Sequence, residues 1–366
     1  MGRTAPLIGV IMLAVMLIAG IVAMMNSIPL SIKTIYRYSA RFCGITPRGD
    51  VSETPKIKAQ VIANSPVPLE RILEIRGAMT QVKSIVGKWP FVVIALRPND
   101  LDYYLKKMDA SAVTGRLPYP GEPAAVISEP VARNLGLKLG DTLLGPKLAD
   151  GYSPKVVRVV GIAQTKLWIM VSDYQYVSEN HYPPVDNLLV FTRNAADQVK
   201  FDHWAYRAFR GARAQVLAYY LVERDSNNMF KILYKILNVV IGMLVLVITF
   251  MMAMLINIYQ TQRLVEFGLL QAIGYTKKQL LGRVYRETLI VLAGGWSLGV
   301  LAAYALLNVV YKFLFEPQAF AIDTMDLRAF SYTIPVPIAI LTIASLTVYW
   351  RFRKFDPVAV VERRLV

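Results

Sequence analysis

Cysteine occurs once in the 366 residues, at Cys43. A single cysteine excludes an intrachain disulfide and any cysteine-rich metal site. Histidine occurs twice, at His181 and His203, with neither cysteine partners nor ligand spacing, so no metal site is expected. The chain has no G-x-x-x-x-G-K-[ST] loop and hence no phosphate cradle of its own; any ATP would be bound by a second polypeptide. It also lacks H-E-x-x-H and G-x-S-x-G, so no catalytic residue is assigned and no cofactor is expected on this chain. Charge is sparse: Asp, Glu, Lys and Arg make up 18% of the residues, against 55% hydrophobic. With a mean hydropathy of +0.41, the chain is too apolar for an ordinary soluble protein and too charged for one made only of membrane spans. The formal net charge is +16. The basic residues are dispersed rather than gathered into a stripe, which points to membrane-surface charge and away from nucleic acid.

What the chain does have is four apolar runs. Leu7 to Met25, preceded by Arg3, nearly crosses a bilayer core of about 30 Å at roughly 1.5 Å per residue. A cleaved signal peptide is the competing reading, disfavoured by the length of the run and the lack of an A-x-A site. The second run is Ile232 to Ile258. The third lies within Leu280 to Val310, and the fourth is Thr333 to Trp350, with Pro335 and Pro337 near its start. The expected fold is an α-helical membrane protein with four transmembrane helices and a large α+β extracytoplasmic domain inserted between helices 1 and 2. The expected divisions are 1–27 for the first helix, 28–230 for the outer domain and 231–366 for the remaining membrane part. Within the last, the spans fall at about 232–258, 284–311 and 333–350, with a cytoplasmic elbow over 260–283.

The region 28–230 has no spanning run and reads as mixed α/β. Lys56 to Ala63 alternates like a half-buried strand, and Pro68 to Met79 reads as an amphipathic helix. Phe91 to Leu96 is a buried strand. Glu122 to Asp141 reads as a strand (AAVIS), a helix opening on Glu129 and Pro130, and a tight turn. Lys155 to Thr165 and Asn187 to Thr192 are further strands. Some 200 residues of this kind can bury a core, as one domain or as two small lobes.

Orientation follows from lysine and arginine in the short loops. Arg263, Lys277, Lys278 and Arg283 follow the second run, and Arg351, Arg353, Lys354, Arg363 and Arg364 the fourth. Between the third and fourth runs, Lys312 and Arg328 are set against Glu316, Asp323 and Asp326. Both termini and the elbow are therefore expected in the cytoplasm of a cell with a cytoplasmic (inner) membrane, and 28–230 outside it.

The elbow, Gln260 to Glu287, carries the most information. Gly274 fits a helix C′ residue, since glycine enters the left-handed region without a Cβ clash. Thr276 followed by Gln279 fits a capping box. One helix should end near Ile273 and the next begin at Thr276. Lys277 and Lys278 then sit in a first turn, where the macrodipole disfavours cations, so they are read as answering to lipid phosphate, to a partner protein, or to topology. Glu266 is either a solvated carboxylate or a partner contact. Glu287, at the edge of the third run, is expected to pair with Arg283 one turn earlier. Gly295 and Gly299, with Gly294 beside them, form a small-residue face that serves helix packing within the subunit or a dimer seam. Tyr332 and Phe352 are ordinary interface anchors.

Three stretches carry a family resemblance. Arg263 to Glu287 holds an Arg, then Glu266 and Gly268, then Ala272 and Gly274, then basic residues and Glu287. Gly115 to Leu143 (GRLPYPGEPAAVISEPVARNLGLKLGDTL) is the second, and Asp356-Pro357 the third. Together with the layout, these resemble the permease subunits of FtsX-like/MacB-like ABC transporters. Two departures stand out: only Met1 to Pro6 precede the first run, and the outer region before Gly115 matches loosely. The resemblance implies a homodimer or a heterodimer with a related permease, each copy docking an ABC ATPase subunit that holds ATP and Mg. It implies that Arg263, Glu266, Gly268, Ala272, Gly274, Thr276, Lys277 and Lys278 take part in coupling, and that membrane lipid and a periplasmic adaptor are further partners. The function implied is a permease coupling ATP hydrolysis by its partner to export, extraction or mechanotransmission of a lipid, lipoprotein, hydrophobic small molecule or peptide. The alternatives are an FtsX-type regulator of an outer cell-wall hydrolase, and a membrane-anchored sensor or scaffold without an ATPase.

Overall fold

A computed structural model of the protein describes residues 5–48, 50–110, 112–180, 186–212 and 214–353. His181 and Asp356-Pro357 lie outside the described residues. Among the described residues, ten strands fall in sequence between the first long helix and the second. The order is α1 (Ala5–Ile35), β1 (Cys43–Pro47), α2 (Thr54–Asn64), β2 (Leu69–Ser84), β3 (Gly87–Leu96), α3 (Pro98–Lys107), β4 (Val113–Gly115), β5 (Ala124–Ser128), α4 (Glu129–Leu135), β6 (Thr142–Leu144), β7 (Val157–Ala163), β8 (Met170–Asp173), α5 (Tyr174–Glu179), β9 (Asn187–Thr192), α6 (Ala195–Ala208) and β10 (Ala214–Leu217). Then come α7 (Tyr219–Gln262), α8 (Leu264–Ala272), α9 (Lys277–Val310), α10 (Leu327–Ser331) and α11 (Pro335–Arg353). The chain divides into two compact units, one of residues 27–230 and 312–322, the other of residues 1–26, 231–311 and 323–366.

The mixed unit is built on one sheet, in the order β10-β1-β9-β2-β3-β8-β5-β7-β4, with β6 beside β7. The pairs β3–β8 and β5–β7 are parallel and the others antiparallel. The 16-residue β2 serves two neighbours: residues 69–75 pair with β9 and residues 76–84 with β3. Two cores result. The smaller gathers Cys43, Ile57, Val61, Val190 and Phe201 under α2 and α6; the larger holds Phe91, Tyr104, Trp168 and Tyr176. This is a pair of lobes on a shared strand.

Two expectations fail at β2 and its predecessor. Lys56 to Ala63 is not a strand: α2 starts at Thr54, Pro55 fills its first turn, and Ile57 and Val61, four apart, are its buried face. Pro68 to Met79 is not a helix but the first two-thirds of β2. Over Ala78 to Ser84 buried and exposed residues alternate strictly, the period of a strand with one face covered. Local pattern was ambiguous in both places, and for β2 pairing with β9 and β3 decides it. The strands at Phe91–Leu96, Ala124–Ser128 and Asn187–Thr192 fall where expected. Helix α4 closes on Gly136 at φ 71°.

Residues 312–322, which follow α9, are held on the mixed unit by Asn134, a residue only 1% exposed. Its Nδ2 donates to the Lys83 carbonyl at 3.1 Å and to the Gln318 carbonyl at 2.9 Å, and its Oδ1 accepts from the Lys83 amide at 2.9 Å. Ala319, at φ 56°, packs against the larger core.

The helical unit contains the long apolar helices. Among the described residues, four helices are long and apolar enough to cross a membrane: Ala5–Ile35, Tyr219–Tyr259, Lys277–Gln318 and Leu327–Trp350. Each is longer than the apolar run from which it was expected, and α1 continues through Pro29 to Ile35. The face formed by Gly295 and Gly299 lies on α1. A Cβ at Gly295 would stand 2.9 Å from Ile11 Cβ; one at Gly299 would stand 2.7 Å from Val15 Cβ and 2.9 Å from the Met12 carbonyl oxygen. Of the two uses expected for this face, the structure displays packing within the subunit, and α1 occupies the place a second copy would need. Further along, Trp296 Nε1 donates to Thr333 Oγ1 at 2.9 Å, joining α9 to the start of α11.

Candidate functional site

The turn at the elbow is dictated by its own residues. Helix α8 ends at Ala272, and Gly274 takes φ 104°. The Gly274 amide donates to the Gln271 carbonyl at 3.0 Å and the Tyr275 amide to the Leu270 carbonyl at 3.1 Å. These are the paired bonds of a Schellman motif, which satisfies the last carbonyls of the helix. Two residues on, Thr276 caps α9: its hydroxyl accepts from the Gln279 amide and the Gln279 side chain accepts from the Thr276 amide, a complete capping box. A Schellman stop and a capping box one residue apart leave the chain little freedom between helices. Lys277 and Lys278 occupy the first two positions of α9, both exposed.

A second set of contacts braces the base of the elbow. Arg263 lies between α7 and α8, with its side chain only 12% exposed. Its Nε donates to Glu266 Oε2 at 2.7 Å and its Nη1 to Glu287 Oε2 at 2.5 Å. The guanidinium also lies over the rings of Tyr259 and Phe267, 5.4 and 5.3 Å from their centroids. One planar fork therefore touches the end of α7, the first turn of α8 and the third turn of α9, a use for which the single point charge of lysine is unsuited. Burial on its own would lower the Arg263 pKa, but the hydrogen bonds to Glu266 and Glu287 outweigh it and the pKa is raised. Arg263 is thus a permanent cation at any working pH. Arg283 also reaches Glu287, at 3.4 Å, so the expected pair exists but is the weaker of the carboxylate's two. Behind the arginine, Phe267 is 1% exposed and packs with Leu280, Val284 and Val348 of α9 and α11.

Of the residues singled out in the sequence, Arg263, Glu266, Arg283 and Glu287 come together at the base. Gly268, Ala272, Gly274, Thr276, Lys277 and Lys278 do not join them. Gly268 is within α8, with open space where a Cβ would stand, and the others form the exposed tip. Sequence reasoning passed over Phe267, Leu280 and Val348. The signal for the first two was present in the apolar spacing Phe267–Leu270 and Leu280–Val284. It also passed over the apolar exposure at the tip: Leu269 is 58% exposed, Ile273 75% and Tyr275 45%. Elsewhere, His203 packs against the ring of Tyr220 at 4.3 Å. Among the described residues no cluster of three or more His, Cys, Asp or Glu is placed to hold a metal ion.

The long apolar helices and the capped, braced turn that joins two of them define a polytopic membrane module. Residues 238–357 match the family model described as FtsX-like permease C-terminal, so this part of the chain is similar to an FtsX-like permease domain. No curated protein matches the chain. Among solved structures, the periplasmic region of MacB from Actinobacillus actinomycetemcomitans is 10% identical, at a TM-score of 0.30, over 53% of this chain and 96% of that one. The extracellular domain of the noncanonic ABC-type transporter YknZ from Gram-positive bacteria is 13% identical, at a TM-score of 0.29, over 48% and 99%.

Proposed function

We propose that the chain is the membrane subunit through which a separate ABC ATPase acts, and that the elbow is the docking point. The observation that carries this reading is the combination of a rigid base and an apolar, basic tip. Arg263 ties three helices together, so a push on α8 moves α7 and α9 with it. Leu269, Ile273 and Tyr275 offer apolar surface beside Lys277 and Lys278, the mixture found where a stable partner is bound. In this reading the elbow and both termini face the cytoplasm, residues 28–230 face outward, and two permease copies each carry one ATPase. The load is a lipid, lipoprotein, hydrophobic small molecule or peptide, moved or pulled on the outer side.

The test is to express the chain with its candidate ATPase and replace Ile273→Glu. Ile273 is exposed, so the substitution leaves folding intact while placing a carboxylate on the contact. The ATPase should no longer co-purify, and its permease-stimulated turnover should be lost. Retention of both would overturn the docking reading. Orientation is checked separately with single cysteines in a Cys43→Ser background. A cysteine at Asp150 should react with an impermeant thiol reagent added outside intact cells and one at Gln279 should not; the reverse pattern would overturn the orientation.

A further inference from the structure

Beside the elbow, a groove of about 360 Å³ runs between the first turns of α9 and the last turns of α11. Leu281, Gly282, Tyr285 and Thr288 form one wall, and Ser345 and Tyr349 stand in the other. Its size is that of a small-molecule site. The walls are apolar, and no lining residue is acidic or basic. Both walls belong to helices long and apolar enough to cross a membrane, and the groove lies near the elbow end of those helices, within reach of bilayer lipid. Tyr285 and Tyr349, 48% and 54% exposed, are of the type that settles where hydrocarbon gives way to headgroups.

The groove is built by an absence. Gly282 has no atom within 4 Å of where its Cβ would stand. A leucine there would fill the space with no clash, and would also be a better helix former. Glycine in the second turn of a spanning helix, in open space, is not explained by close packing, unlike Gly295 and Gly299. The space it leaves lies in the groove and is open to something from outside the chain.

The occupant is marked by charge. Lys278 precedes Leu281, Gly282, Tyr285 and Thr288 by three, four, seven and ten residues, the spacing of one helix face. It stands one turn before the groove, toward the elbow, and is exposed. Arg286, also exposed, adjoins Tyr285. The neighbouring carboxylate, Glu287, is engaged by Arg263 and Arg283. A cation one turn beyond an apolar slot complements a molecule with an anionic head and a hydrocarbon tail. It also accounts for a lysine at the end of α9 that the macrodipole disfavours.

We propose that this groove binds one acyl chain of an anionic bilayer phospholipid, whose phosphate is held by Lys278. The site depends on the chain being a membrane protein and not on the ATPase docking reading: Ile273→Glu would leave it intact. Because α9 and α11 pack on Phe267 of α8, a lipid there also lies against the element proposed to receive the partner.

The test uses the full chain reconstituted in phosphatidylcholine vesicles containing either phosphatidylglycerol or phosphatidylcholine with a photoreactive group on its acyl chain. Labelled peptides are read by mass spectrometry. The phosphatidylglycerol probe should mark the peptides bearing residues 281–288 and 344–349 more strongly than the phosphatidylcholine probe. Lys278→Ala should reduce that preference by about fivefold, the contribution of one basic residue near an anionic headgroup. Gly282→Leu should remove labelling of both peptides with either probe, and Ser345→Leu, from the opposite wall, should do the same should Gly282→Leu impair folding. Inorganic phosphate should not compete, which separates a lipid headgroup from a free anion. Labelling indifferent to the headgroup and to all three substitutions would mean annular lipid only and would overturn the proposal, as would loss of the label to inorganic phosphate.

Discussion

Arg263 reaches Glu287 across 24 residues of sequence, at 2.5 Å, and holds Glu266 with the same guanidinium at 2.7 Å. Replacing Arg263 by alanine would leave Glu287 with Arg283 alone, at 3.4 Å, and would uncover Phe267. Hydrogen bonds to charged groups are worth about 1.5–3 kcal/mol. Amide exchange over residues 263–280 should therefore quicken about tenfold or more in Arg263→Ala. Arg263→Lys should behave almost as poorly, since one ammonium cannot span two carboxylates and two rings in this geometry. Exchange rates equal to those of the parent in either variant would show that the three helices are held by apolar packing alone.

The seam between α1 and α9 gives a sharper contrast, because two neighbouring glycines differ in surroundings. Gly299→Ala places a methyl 2.7 Å from Val15 Cβ and 2.9 Å from the Met12 carbonyl oxygen. Neither atom can turn aside, so α1 must move, at a cost of roughly 1–3 kcal/mol. Gly294→Ala meets nothing within 4 Å and should be neutral or slightly stabilising, as a glycine replaced in a helix usually is. Thermal unfolding of the detergent-solubilised chain should place Gly299→Ala below the parent and Gly294→Ala level with it or above. Equal behaviour would remove this seam from the helical unit.

Asn134 and Gln318, 184 residues apart in sequence, are joined by a hydrogen bond within the mixed unit. Asn134→Ala deletes three hydrogen bonds and leaves the Lys83 amide without its acceptor, a cost of about 1–3 kcal/mol for the buried group. The effect should concentrate in residues 312–322. Limited proteolysis should open a cleavage site there, while the strands β3, β5 and β8 keep their protection. Uniform loosening of the whole unit would mean that Asn134 supports the core and not the segment after α9.

What could be read in the sequence was what short range decides. The four long helices follow from uninterrupted apolar runs, because a bilayer core sets a minimum length. The elbow followed from Gly274, Thr276 and Gln279, since the helix stop and the capping box are set within six residues. The identities of β2 and α2 were not legible. Leu69, Ile72, Leu73 and Ile75 fit a helix face and a strand nearly equally, and only pairing with the distant β9, from Leu69 with Thr192 to Ile75 with Asn187, selects the strand. Arg263 was singled out, but not its grip on Glu287, because the nearer Arg283 offered a complete explanation at one helical turn. Asn134 carried no signal: a polar residue in a short helix has no pattern that reveals a partner on the far side of a membrane helix in sequence.

Asp202 supplies the pH dependence. It is 4% exposed, in the smaller core of the mixed unit, where Gln198 Nε2 donates to its Oδ1 at 2.9 Å. Burial raises its pKa from the usual 3.8 to about 6, against hydrogen bonds from Gln198 and the Cys43 thiol that favour the charged form. The sign follows from which state holds the proton. Below about pH 4 both folded and unfolded chains carry it, and Asp202 makes no difference. Between about 4 and about 6 the unfolded chain releases it while the folded one keeps it, so this residue makes stability fall as pH rises. Above about 6 the loss is complete, at up to about 3 kcal/mol for a shift of this size. Asp202→Asn keeps the acceptor for Gln198 and removes the titration. Its stability relative to the parent should be near zero at about pH 4 and should rise toward about pH 7, tracked by Trp204 fluorescence in the same core. The other shifted carboxylates of this unit, Glu70, Glu74 and Glu122, are lowered by their cationic partners and act in the opposite sense in both proteins, so they cancel in the difference. A difference that stays flat from acid to neutral pH would mean that Asp202 is solvated in the folded protein and that the smaller core is open to water.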